Sequence, residues 1–268
     1  MKRPLVLFTI SILSVLCLSH ELFLKTDAYF LAPGQASELY LFNGTFDKSE
    51  NSITTDRITD VTILGPNYSF GMDYEKLYEK ENATYLKFST GTTGTYVAGV
   101  STAPRTLQMN AEDFNDYLDH EGLVGTLKER DQDGSKNNGA NEKYSKHVKS
   151  VLQVGETKTE DYKTILNYPI EFVPLSNPYG INVGESISFK LLRDGKPLGN
   201  HVVHYSTSMP GKDAHENETS TQTDSNGVVT MTPTQSGNWY VATIHMQKSD
   251  EDGIDYESNW ATLTFGVK

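Results

Sequence analysis

The sequence predicts a mainly β protein: two β-sandwich, immunoglobulin-like domains with a short helical insert between them. Three observations carry this. Short runs rich in Thr, Tyr and Val, broken by Gly, Pro and Asn turn signals, fill residues 22–100 and again 165–267. From Asn110 the apolar period changes to a helical one. The chain has 268 residues, which suits one large or two small domains.

The N-terminus comes first. Lys2 and Arg3 precede an apolar run from Leu5 to Leu16. About a dozen residues are too few to span a bilayer but suit the hydrophobic region of a secretory signal. Small Cys17 and Ser19 fit positions −3 and −1 of a cleavage site, so residues 1–19 read as a signal peptide. A lipidation site at Cys17 would need a small residue where Leu16 stands. Cleavage after Ser19 makes His20 the first mature residue. Its α-amine, with a pKa near ~7.7, and its ring nitrogen can then close a chelate on one metal ion. The expected location is periplasmic or extracytoplasmic.

Residues 20–108 form the expected N-terminal sandwich. Tyr29-Phe30-Leu31 leads to a Pro33-Gly34 turn, and Ser37 to Phe42 alternates toward Asn43-Gly44. Val61 to Leu64, Ala83 to Phe88 and Gly94 to Val100 read as further strands. Residues 109–164 form the expected helical segment. Asn110 is placed to cap a helix whose stripe is Phe114, Tyr117, Leu118 and Glu121, ended by Gly122. A second helix runs on toward Arg130, and the polar stretch from Asp131 to Asn141 reads as a mobile loop. A further helix is expected from Asn141 to Val154, with Tyr144, Val148, Val151 and Leu152 as its stripe and Gly155 as its stop. Residues 165–268 form the C-terminal immunoglobulin-like domain. Its strands are Ser186 to Leu192, Val202 to Ser206, Val228 to Thr232, Trp239 to Met246 and Trp260 to Val267.

Composition excludes several functions. Without Lys2 and Arg3 the mature chain has 21 basic and 35 acidic residues, a net charge of −14. That argues against nucleic acid and anionic membrane as partners and favours cations. No later segment has enough apolar residues to span a membrane. Cys17 is the only cysteine, so the mature chain has no disulfide, thiol nucleophile or thiolate ligand. A metal site must use His, carboxylate, Met or main-chain atoms. No GxSxG and no phosphate-binding glycine loop are present, so no enzymatic activity is expected.

The seven His are the natural nitrogen ligands. His201 and His204 lie three apart on an extended segment, so they face opposite sides. His215 sits in the loop from Lys212 to Glu218, near Glu216 and Glu218, where a solvated loop is favoured over a cation site. His120 ends a helix, where the dipole favours it. The acidic run from Ser249 to Asp255 lacks the spacing of a calcium loop and reads as a hairpin tip. Trp239 and Trp260 read as packed residues rather than a sugar platform.

Landmarks spread over the mature chain resemble a family of exported proteins of unknown function associated with periplasmic nickel/cobalt uptake. His20-Glu21-Leu22-Phe23-Leu24, then Tyr29 to Gly34, stand where that family has HEFWL…Y…APG. Phe114 to Leu118 with Glu121-Gly122-Leu123 is similar to FNAYLKEEGL. Tyr144 to Lys149 with Leu152 to Gly155 is similar to RYSKYAKALLQVG, although His147 replaces an aromatic residue. Glu171 to Leu175 with Asn177-Pro178-Tyr179 is similar to ELVPLDNPY. Gly237-Asn238-Trp239, Ile244-His245-Met246 and Glu257 to Phe265 are similar to GxWL…VHM…ESYWATLTF. The resemblance implies a metal-binding accessory to uptake that captures nickel or cobalt, with copper a further candidate, and passes it to a membrane transporter. His20 and His245 lie in matching stretches and are the leading metal ligands, with His147 third. The alternative is a non-catalytic cell-envelope interaction or carbohydrate-binding module.

Overall fold

The computed structural model describes residues 21–268, so the expected signal peptide, with Cys17, and His20 lie outside the described residues. The fold is mainly β; among the described residues it is built from three sheets with two short α-helices, Ala111–His120 (α1) and Val124–Asp133 (α2).

The strand Ala140–Val154 organises the architecture. It pairs in parallel with the last strand, Tyr256–Val267, from Glu142↔Tyr256 to Ser150↔Thr264. Its far end pairs antiparallel with Gly94–Thr102, from Val151↔Val97 to Val154↔Gly94. The strands of the first and last parts of the chain therefore meet in one ten-stranded sheet. Other layers cover both of its faces here. On one side Lys149 reaches Glu171 of Ile170–Pro174, and Phe265 packs on Phe189 with ring centres 5.5 Å apart. Both partners belong to a four-stranded sheet. On the other side the hydroxyls of Thr262 and Thr264 donate to the carbonyls of Leu22 and Leu24. That first strand, Glu21–Lys25, edges a five-stranded sheet.

This corrects the helix expected over Asn141 to Val154: the segment is a strand. Burial on both faces removes the alternation that marks a half-exposed strand: polar Lys149, Ser150 and Gln153 are buried with partners of their own, and Val148, Val151 and Leu152 are left at a spacing that also satisfies a helical stripe. Residues 146–154 are all buried. The neighbouring mobile loop is also corrected. Residues 131–141 hold the end of α2, Gly134 in the left-handed conformation at φ +79°, a 3-10 turn at Ser135–Asn137 and the start of the long strand. Buried Arg130 ties this segment down by donating to the Asn138 carbonyl at 2.7 Å and to Asn115 Oδ1 at 3.1 Å.

Other elements follow the sequence closely. Asn110 caps α1 by accepting from the Asp113 amide at 2.9 Å, and Phe114, Tyr117 and Leu118 form its buried stripe. The helix ends as glycine termini do: Gly122, at φ +67°, donates to the Asp119 carbonyl and Leu123 to that of Leu118. That ending sets His120 and Glu121 on the rim of the cavity described below. Trp239 and Trp260 are buried at 4% and 2% exposure, so neither is a surface platform. Among the described residues no helix is long and apolar enough to cross a membrane.

The Lys149–Glu171 pair, 2.7 Å apart, lies 1% exposed on both sides. Lys149 also donates to the Thr164 carbonyl, and Glu171 accepts from the amides of Leu166 and Tyr168. Removing one member strands a buried charge, at a cost of about 3–5 kcal/mol. Lys149→Met is expected to lower the unfolding free energy measured by urea denaturation by that amount, and adding Glu171→Gln should recover part of it. A loss under ~1 kcal/mol in the single variant would contradict this assignment.

Candidate metal centre beside the first strand

Alternation along Glu21–Lys25 positions the site. Leu22 and Leu24 enter the main core, while Glu21 and Phe23 face the opposite way. Phe23 packs edge-on against Phe46 at 5.1 Å and Tyr240 at 4.9 Å, forming an aromatic floor. At the end of this floor stands Glu21, only 8% exposed.

Two segments from the far end of the chain meet Glu21. His215 lies in the 3-10 turn Ala214–Asn217, capped by Asp213. Its Nε2 is 3.1 Å from Glu21 Oε2, and its Nδ1 is 3.1 Å from Asp213 Oδ1. Glu218 follows the turn and accepts from the Tyr240 hydroxyl at 2.7 Å. Its other oxygen is 3.1 Å from His204 Nδ1 on the strand Val202–Thr207. Ligand atoms of Glu21, His215 and Glu218 all lie within 4.8 Å of one another. The turn is held across the chain by Asp47, which accepts from the Ala214 amide at 2.8 Å and from the Ser208 hydroxyl.

The group borders a cavity of about 300 Å³ whose rim includes Glu50, His120, Glu121, Asp213 and Glu216. Electrostatics there follow from partial burial. Burial opposes charge on His215, but Glu21, Glu218 and Asp213 outweigh it and raise its pKa to about 9. His204 moves up for the same reason: burial opposes the shift and Glu218 overcomes it. Burial pushes the Glu218 carboxyl up, but hydrogen bonds from His204 and Tyr240 bring it below its ordinary value. Burial, then the charges of Glu21 and Glu218, hold the Glu121 carboxyl well above the usual range. Nε2 of His204 is buried, faces the Glu121 main chain and makes no hydrogen bond of good geometry.

The expected ligands are distributed differently. His20 lies outside the described residues and is bonded to Glu21 in the sequence. His147 is buried, with Nδ1 2.8 Å from Ser101 Oγ and Nε2 3.0 Å from Asn259 Oδ1, so both ring nitrogens are engaged. His245 neighbours His201, at 5.7 Å between ring centres, and does not join Glu21 and His215. His215, which the sequence favours as a solvated loop residue, is central instead. Its signal was weak because Glu21 is 194 residues away and the Asp47 anchor is invisible locally. Opposite facing of His201 and His204 does appear: one meets His245 and the other Glu218.

Fold and site together define a mainly β protein with a half-buried histidine–carboxylate pocket. The chain belongs to the family of a domain of unknown function, DUF4198, whose model matches residues 17–247. No functionally curated protein sequence matches it. Among solved structures, the D0-D1 domain of Intimin is similar at 12% identity, covering 91% of this chain and 97% of that one, with a TM-score of 0.21. The D00-D0 domain of Intimin is similar at 11% identity, covering 92% and 99%, with a TM-score of 0.20. Scores this low carry no argument about fold or function.

Raising the pKa of His215 from 6.5 to about 9 means its protonated form stabilises the fold. That contribution is complete below the unfolded value and is lost as pH rises through about 9. His215 is expected to titrate near 9 in imidazole NMR spectra, and Glu21→Gln should move the midpoint down. A wild-type midpoint at or below ~7 would contradict the pairing.

Proposed function

We propose that this protein binds a divalent transition metal outside the cytoplasm and serves as a non-enzymatic accessory to metal uptake. The observation that carries the reading is the convergence of Glu21, His215 and Glu218. One imidazole with two carboxylates suits borderline divalent ions such as nickel, cobalt or zinc. The absence of cysteine after Cys17 leaves nitrogen and oxygen as the main donors. His204 and the Tyr240 hydroxyl orient Glu218, as outer partners orient metal ligands. Resemblance to the nickel/cobalt uptake family favours nickel or cobalt as the cargo, with copper a further candidate.

His20 completes the reading. Cleavage after Ser19 would free its α-amine one residue from Glu21, adding a chelating pair to the donor set. Acidic groups around the cavity favour entry of a cation, and its partly open rim suits hand-over to a membrane transporter.

A non-catalytic cell-envelope interaction module is the second reading. It rests on a partly exposed aromatic row on the five-stranded sheet. Tyr78 stacks on Tyr85 at 5.2 Å, Tyr85 meets Tyr40 at 5.6 Å, and Tyr40 meets Phe42 at 4.9 Å.

Calorimetry with nickel, cobalt and copper separates the two. A mature chain beginning at His20 should bind at least ~10-fold more tightly than His215→Ala or Glu218→Gln. His20→Ala should also weaken binding. His215 must lose its proton to bind, so affinity should rise with pH by up to ~10-fold per unit toward pH 9. Equal affinity in all forms, with no pH dependence, would sink the metal reading.

A further inference from the structure

The ten-stranded sheet carries a second histidine pair on the opposite face of the strand Gly237–Lys248 from Tyr240. His201 enters from the turn before Val202–Thr207, and His245 stands on Gly237–Lys248 itself. Their ring centres are 5.7 Å apart with planes inclined at 38°. Both rings are partly exposed.

His201 Nε2 is 2.9 Å from the Ile244 carbonyl, so it carries the proton and donates. That leaves Nδ1 of His201 with a free lone pair. A ring N–H fixed on a main-chain carbonyl is the usual second-shell arrangement of a metal-binding histidine. Nδ1 of His245 is buried and has no partner beyond the influence of its own main chain. Contrast His147, two strands away, whose nitrogens are both satisfied. A buried ring nitrogen without a partner calls for a ligand, and the pair offers two.

The spacing is right for one ion. A transition metal stands about 2.0–2.1 Å from an imidazole nitrogen, hence about 3.2 Å from the ring centre. Two rings sharing an ion at ordinary bond angles then have centres about 4.5–6.4 Å apart, a range that contains this pair.

We propose that His201 and His245 form a second, bis-imidazole site for a borderline transition-metal cation, with water completing the coordination. Unlike the Glu21 group it offers no carboxylate in its inner set, and by intrinsic affinity copper ranks above nickel, cobalt and zinc at such an imidazole site. Its donors are ready without losing protons. Burial, with the nearby Arg193 charge, lowers His245 to about 4, and burial also lowers His201. The Arg193 guanidinium would repel a cation, but Asp194 pairs with it at 2.6 Å and offsets that charge.

Copper(II) is the probe. The background chain carries His20→Ala, His215→Ala and Glu218→Gln, which remove the first site and the imidazole of the N-terminal chelate. It is expected to retain one copper equivalent by calorimetry, with nitrogen hyperfine structure in the electron paramagnetic resonance spectrum. Adding His201→Ala or His245→Gln should weaken that equivalent at least 10-fold, and the melting temperature of His245→Gln in the absence of metal shows that the fold is kept. No copper equivalent in the background chain, or one that survives His245→Gln in a folded protein, overturns the proposal. The first site fails separately, when His215→Ala leaves wild-type stoichiometry and affinity unchanged.

Discussion

The parallel register between Ala140–Val154 and Tyr256–Val267 is the constraint on which the rest depends. It joins the strands of the first half to those of the second and creates a layer buried on both faces. Only because the last strand sits beside the long one can Thr262 and Thr264 hold the carbonyls of Leu22 and Leu24. That contact fixes the first strand, and alternation along that strand then decides that Glu21 points into the pocket. One register thus sets the position of a carboxylate that is remote from it in the chain.

Legibility in the sequence followed the range of the forces involved. Local signals were readable: the Asn110 cap, the Gly122 stop and the apolar stripe of α1 all appear as expected. The mainly β class was readable as well, because turn residues punctuate strands locally. What failed was the long strand. Val148, Val151, Leu152 and Val154 are compatible with a helix stripe until a second sheet is known to cover the other face. The polar stretch at 131–141 failed for a related reason, since Arg130 orders it through contacts that composition does not reveal.

The pocket was less legible than the fold. Histidine and glutamate are ordinary loop residues unless something buries them, and what buries His215 is distant. The aromatic floor of Phe23, Phe46 and Tyr240 and the Asp47 anchor arrive from three separated parts of the chain. Together they place opposite charges in a partly dry setting, where ion pairing outweighs the cost of burial for His215. His147 shows the converse. Its sequence context suggested a ligand, but Ser101 and Asn259 consume both of its nitrogens.

The 194-residue separation of Glu21 and His215 has a consequence for timing. Contacts of such long range form late, because the loop between them must first be closed. A nascent or unfolded chain therefore holds these two donors far apart and offers no organised pocket. An ion held in this pocket would therefore have to be taken up in the compartment where folding finishes, from the ions available there. Location of maturation, as much as ligand chemistry, would then govern which metal such a protein carries.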